Sequence, residues 1–242
     1  MKRACKELKR IARENLNGNY KVPMGAFLVA SLIPMVAELP FSMLQKEHQP
    51  LQMTVMFYLA DFLITLISIV LSAGIMQVHL SMARNKEISI GQVFYPFKNH
   101  PDRYVVAGLL FFLATIVCCI PMGIGIVIMY TLEQSVISIA VMVITIIISL
   151  ILLIMMQLWY ALVFYLVLDH HEMRTCEAYK ISHGIMKGNK GRLVYMFFSF
   201  LGMQLLTLLS FGIGELWVFP YQSQTMAVFY MDVIGELPHQ RE

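Results

Sequence analysis

Apolar runs long enough to span a lipid bilayer, with few or no charges, alternate along the chain with short segments rich in Lys and Arg. The run from Val136 to Leu168 holds no charged residue. As one helix it would extend about 50 Å at ~1.5 Å per residue, against a hydrocarbon core of ~30 Å. The pattern predicts membrane helices, with spans near residues 24–44, 53–79, 104–130, 136–160, 193–211 and 214–234. The fourth run overshoots a bilayer, so its end is expected to tilt or project. Trp159, Tyr160 and Tyr165 near that end suit an interfacial aromatic belt. The sixth span carries Pro220, Gln222, Ser223, Gln224 and Thr225, which a membrane tolerates under the cover of neighbouring helices.

Seventeen of the eighteen Lys and Arg fall on one predicted face: the N-terminal segment, the 80–103 and 169–192 connections, and Arg241. Only Lys46 falls on the other. Basic residues in short loops mark the cytoplasmic side, so an even number of crossings with both termini in the cytoplasm is expected. This distribution accounts for the net charge of +3 without a nucleic-acid partner. Composition agrees, at 58% hydrophobic and 14% charged residues, where soluble domains carry roughly 45–50% and about 25%. Residues 1–242 therefore read as one membrane domain. No cleavable signal peptide is expected, because no short apolar core with a small-residue cleavage site follows the seven basic residues of the first 21. The four cysteines form no CxxC pair or disulfide-framework spacing.

Each basic segment repeats one design. In the first, Leu8, Ile11, Ala12 and Leu16 fall at helical spacing among Lys and Arg, as in an interfacial helix. The second opens with Ser89 and Gln92 in capping-box spacing, then Val93, Phe94 and Phe97. The third places Ala178, Ile181 and Ile185 on one face. Each then reaches a break: Leu16-Asn17-Gly18-Asn19, Phe97-Lys98-Asn99 and Met186-Lys187-Gly188-Asn189. Gly and Asn readily take the left-handed conformation that ends a helix and redirects the chain. The expected fold is all-α: a polytopic membrane bundle of six transmembrane helices. These form three hairpins, each preceded by an interfacial amphipathic helix, as repeats over residues 1–79, 80–168 and 169–234. Such repeats are frequent in transporters but not confined to them.

The last third carries an ordered motif: Gly188-Asn189, Ser199-Phe200-Leu201-Gly202, Gly212 and Gly214. Trp217, Pro220, Tyr221, Thr225, Phe229 and Tyr230 follow. Together with Leu8-Lys9-x-x-Ala12-Arg13 and Gly18-Asn19, it resembles the bacterial integral membrane family called domain of unknown function 975. The middle departs from that family's common form, residues 121–160 being longer and more apolar. The resemblance implies a six-span protein of the cytoplasmic membrane of Gram-positive-type bacteria and implies no reaction. A weaker likeness is to the membrane portion of some glycerophosphodiester phosphodiesterases, whose catalytic domain this chain lacks.

The candidate chemistry is a set of carboxylates toward the outer side: Glu38, Asp61, Glu133 and Glu215. A carboxylate inside a span is costly and marks a functional hypothesis. Glu38 and Asp61, on antiparallel neighbours, fall at similar depth. They would share a proton or bind a cation, or else each reaches the interface separately. Asp169-His170-His171-Glu172 has no zinc-motif spacing and reads as a polar helix end, so no metal and no cofactor are expected. His79 and His183 read as isolated interfacial histidines, and Pro34, Pro121 and Pro220 as breaks in their spans. The nineteen methionines read as membrane-core filler or an adaptable groove. Three functional classes remain. One is a non-catalytic accessory protein that organises lipids or a protein partner in the membrane. The others are a small transporter or permease subunit that uses the carboxylates, and an intramembrane enzyme.

Overall fold

A computed structural model describes residues 3–44, 50–132, 135–170 and 172–237. The helices are α1 (Cys5–Leu16), α2 (Lys21–Leu44), α3 (Leu51–Ala83), α4 (Tyr95–Lys98), α5 (Pro101–Thr131) and α6 (Val136–Tyr160). They continue with α7 (Val163–Asp169), α8 (Thr175–Met186), α9 (Lys190–Phe198), α10 (Leu201–Leu209) and α11 (Glu215–Ile234). A 3-10 turn, Ile90–Phe94, leads into α4. No strand occurs among the described residues.

Among the described residues, five helical stretches are long and apolar enough to cross a membrane: α2, α3, α5, α6 with α7, and α9 with α10. The expected sixth span forms a helix over nearly the expected residues, α11, but is not among these five. Ten of its twenty residues are buried, so neighbouring helices cover it rather than an apolar surface of its own.

Burial is concentrated at the end of the molecule that carries Arg84, Asp169, Arg192 and Glu236, here termed the basic end. The main core joins α1, the last turns of α3, α7, α8, the start of α9 and the second half of α11. A smaller cluster packs Ala26 and Ala30 of α2 on Leu71, Ile75 and Val78 of α3, with Val93. Toward the other end the helices face outward. Only 6% of the most apolar window of α2 is buried, and 11% of that of α5. Surfaces such as Val36, Val127 and Ile144 are exposed and apolar, which is compatible with a lipid surround.

The short segments dock in a cyclic order. The 3-10 turn and α4 pack on α3, and the turn also on α2. Helix α8 packs on α5, α6 and α7, and α1 packs on α11, α9 and α3. Gly74 makes one of these contacts feasible, since a Cβ there would lie within 2 Å of the Val93 carbonyl oxygen. In the α5–α6 hairpin, Gly125 faces Thr145 where a Cβ would lie 2.1 Å from its hydroxyl.

Several expectations need correction. Leu8, Ala12 and Leu16 of α1 are fully buried in the core, so that face meets protein instead of lipid. The second short segment is a 3-10 turn with one turn of helix, and Ser89 makes no side-chain cap. Gln92 donates instead to the Glu87 carbonyl at 2.9 Å. Tyr165 belongs to the core rather than an aromatic belt, stacking on Tyr230 at 5.2 Å. Pro34, Pro121 and Pro220 all lie inside continuous helices. At Pro121, the Ser149 hydroxyl accepts the Met122 N–H at 3.0 Å, as expected where a proline disturbs the helix ladder. Two of the three breaks do turn on glycine, with φ of +82° at Gly18 and +88° at Gly188, whereas the second turns on His100 at +54°.

Candidate functional site: a polar stripe in the groove between two apolar helices

Along α3, Tyr58, Asp61, Thr65, Ser68 and Ser72 recur at intervals of three and four residues. That spacing puts all five on one face of a helix. Here the face is open: the five side chains line a groove of about 610 Å³ between α3 and α5. Across from them stand Leu109, Phe111, Phe112 and Thr115, with Phe164 of α7 at one end. The helices close on each other at Gly108, where a Cβ would lie 2.6 Å from Ile69.

Three of the hydroxyls within this groove have their protons engaged locally. Ser68 donates to the Ile64 carbonyl and Ser72 to that of Ser68, both at 2.8 Å, and Thr115 donates to Phe111 at 2.9 Å. Each of these oxygens keeps acceptor capacity toward the groove. With the Asp61 carboxylate, the stripe is rich in acceptors on an otherwise apolar wall. A second cavity of about 410 Å³ lies among α3, α6, α9 and α11 and shares Ser72 and Met76 with the groove. Gln157, Gln222 and Ser223 supply its polar lining.

Of the expected carboxylates among the described residues, only Asp61 lines the groove. Glu38 is exposed on α2, and among the described residues no hydrogen bond or ion pair joins it to Asp61. Glu215 is half-buried in the first turn of α11, and Glu133 lies outside the described residues, as does His171. Among the described residues no group of three or more His, Cys, Asp or Glu side chains is placed to hold a metal ion.

The motif residues of the last third act mainly as joints around α11. Asn189 donates to the Ile185 carbonyl at 2.7 Å and accepts from Arg192 at 3.2 Å. Gly212 adopts φ +86°, and at Gly214 a Cβ would crowd Thr207 at 3.0 Å. The Tyr221 hydroxyl accepts from Arg13 and donates to the Lys9 carbonyl, at 3.4 and 3.3 Å. Lys9 also lies 4.3 Å over the Phe200 ring, and burial lowers its pKa, with Arg13 adding to the effect. Thr225 bonds back to Tyr221, Phe229 lies under Arg192, and Tyr230 donates to Asp169 at 2.9 Å. Pro220 is buried, whereas Trp217 is exposed.

Three sets of polar contacts were not foreseen. His79, read as interfacial, is fully buried and hydrogen-bonds to the equally buried Gln224 of α11 at 2.9 Å. Arg84 joins the ends of three helices at the basic end. It holds Asp169 through two bonds of 2.6 and 2.7 Å and Glu236 through two of 2.9 and 2.8 Å. The hydrogen bond to Asp169 raises the Arg84 pKa above the ordinary arginine value, with Glu236 adding to it. Arg192 pairs with Asp232 and donates to the Arg3 carbonyl, which ties α9, α11 and the entry to α1. The three-and-four spacing on α3 was the signal available for the stripe; the Arg84 contacts, 85 and 152 residues apart in sequence, had no local signal.

The family described as "Protein of unknown function (DUF975)" matches residues 1–236. No curated protein and no solved structure matches the chain.

Removing the Arg84 charge leaves Asp169 without its main partner in a mostly buried setting. Arg84→Met is expected to cost about 3–5 kcal/mol of stability. Adding Asp169→Asn should recover part of the loss, because the orphaned charge is then gone. Thermal unfolding of the purified protein in detergent measures both. Equal losses in single and double variants would contradict the pairing.

Proposed function

The chain belongs to the DUF975 family, and from that premise we propose that it is a polytopic protein of the bacterial cytoplasmic membrane that binds and organises lipid without catalysing a reaction. The observation that carries this reading is the stripe of Tyr58, Asp61, Thr65, Ser68 and Ser72 in an open groove whose other walls are largely apolar. Its volume of about 610 Å³ falls within the roughly 300–1,000 Å³ of small-molecule sites. Its apolar walls suit an acyl chain, and its acceptors suit the polar part of a lipid. Membrane lipids are then the first partners. A protein partner in the membrane would meet the outward-facing halves of α2 and α5.

Six crossings in three hairpins fit this role, with residues 1–79, 80–168 and 169–234 as repeated units. The cyclic docking of α1, the 3-10 turn with α4, and α8 supports the repeat. Helix α11 favours a sixth crossing: twenty residues extend about 30 Å, enough for a bilayer core. Its polar Gln224 and Thr225 are fully covered, and its end meets those of α3 and α7 through Arg84, Glu236 and Asp169. The basic end then faces the cytoplasm with both termini.

The alternative is a small transporter or permease subunit using Glu38, Asp61, Glu133 and Glu215. The opening of Asp61 into the groove is what favours it. Cation- or proton-coupled uptake into vesicles that disappears in Asp61→Asn, with lipid retention unchanged, would select it.

Lipid retention tests the main reading. Thr65→Trp fills the groove, whereas Val36→Trp alters an exposed site on α2 outside it. Native mass spectrometry of the purified proteins should find lipid on the wild type and on Val36→Trp and much less on Thr65→Trp. Equal retention in all three would overturn the groove as the lipid site.

The topology carries its own test. A membrane-impermeant thiol reagent applied to intact cells should label a single cysteine at position 48 and spare one at 98 or 187. Labelling at 187 from outside would overturn the orientation.

A further inference from the structure

The groove and the second cavity share Ser72 and Met76, so their polar linings join end to end. From Tyr58 to Ser72 the stripe rises about 21 Å along α3, most of a hydrocarbon core of ~30 Å. Beyond Ser72, the cavity continues with Ser223, Gln222 and Gln157, from α11 and α6. A polar surface therefore runs along the apolar helices from Asp61 to the cavity among α3, α6, α9 and α11.

We infer that this surface is a path along which a lipid headgroup bearing O–H or N–H donors moves between the two leaflets, its acyl chains remaining in the surrounding lipid. The inference deepens the lipid-binding reading and rests on it. The barrier to transbilayer movement is the loss of hydration around a polar headgroup in hydrocarbon. Acceptors repeated every three or four residues replace water's hydrogen bonds one step at a time. The path also selects. Ser68, Ser72 and Thr115 have donated their protons to their own helices and offer acceptors. Asp61 offers a carboxylate. A choline headgroup has no N–H or O–H to donate, whereas ethanolamine and glycerol headgroups do. No bond is made or broken, and no energy source is required for exchange in both directions.

The full-length protein reconstituted in phosphatidylcholine vesicles tests this. Trace phospholipids carry a fluorophore on an acyl chain and an ethanolamine, glycerol or choline headgroup. A membrane-impermeant reductant bleaches the outer leaflet and reports the exchange rate. The protein should accelerate the ethanolamine and glycerol lipids about tenfold more than the choline lipid, as the loss of one or more hydrogen bonds would give. Ser68→Ala with Ser72→Ala removes acceptors without adding bulk and should slow the favoured lipids about tenfold. Ser68→Thr should retain the rate. Equal acceleration of all three headgroups would overturn the proposed recognition. No acceleration by a protein that still co-purifies with lipid would overturn the path and leave the lipid-binding reading standing. Loss of co-purified lipid from the wild type would overturn both. Cross-linking of two copies through cysteines at 68 would assign the stripe to a helix of a second chain and overturn the path as well.

Discussion

Arg84 governs how the molecule is held together. Its guanidinium bonds the end of α7 through Asp169 and the segment after α11 through Glu236, while it extends from the end of α3 itself. Helices α3, α7 and α11 thus end at a single charge-assisted junction, geometry for which a planar, multiply donating cation is suited. Tyr230 adds a donor to the same carboxylate and stacks on Tyr165, which extends the junction into the buried core. Packing concentrates at this end, and the other end is left with apolar surface and little internal contact.

That polarity bears on function. In lipid, apolar side chains gain little by meeting one another, so helices associate through close packing of small residues and through polar contacts. Gly74 against Val93, Gly108 against Ile69 and Gly125 against Thr145 are such contacts. On α3, the polar residues from Tyr58 to Ser72 face α5 across an open groove instead of packing closely against it. A stripe of hydroxyls and one carboxylate facing a groove makes structural sense if lipid occupies it.

The apolar runs of α2, α3, α5 and α6 were readable because an apolar run of that length with so few charges is stable in lipid and seldom anywhere else. Helix α11 was readable as a helix and ambiguous as a span, since covered polar residues lower its hydropathy without making it less enclosed. Tyr165 could have met lipid headgroups or protein, and the choice depended on Tyr230, 65 positions away. The depth of Glu38 and Asp61 followed from hairpin length, but the direction each faces depends on the rotation of α2 and α3, which length does not specify. The stripe on α3 was visible as a spacing. Its meaning depended on the separation of α5 from that face.

The proposed lipid binding therefore requires an open groove between α3 and α5. Cryo-electron microscopy of the protein in lipid nanodiscs examines it most directly. Elongated lipid density is expected along Asp61, Thr65, Ser68 and Ser72, reaching toward Met76. Helix α5 closed against that face, or a protein helix in the groove, would contradict it.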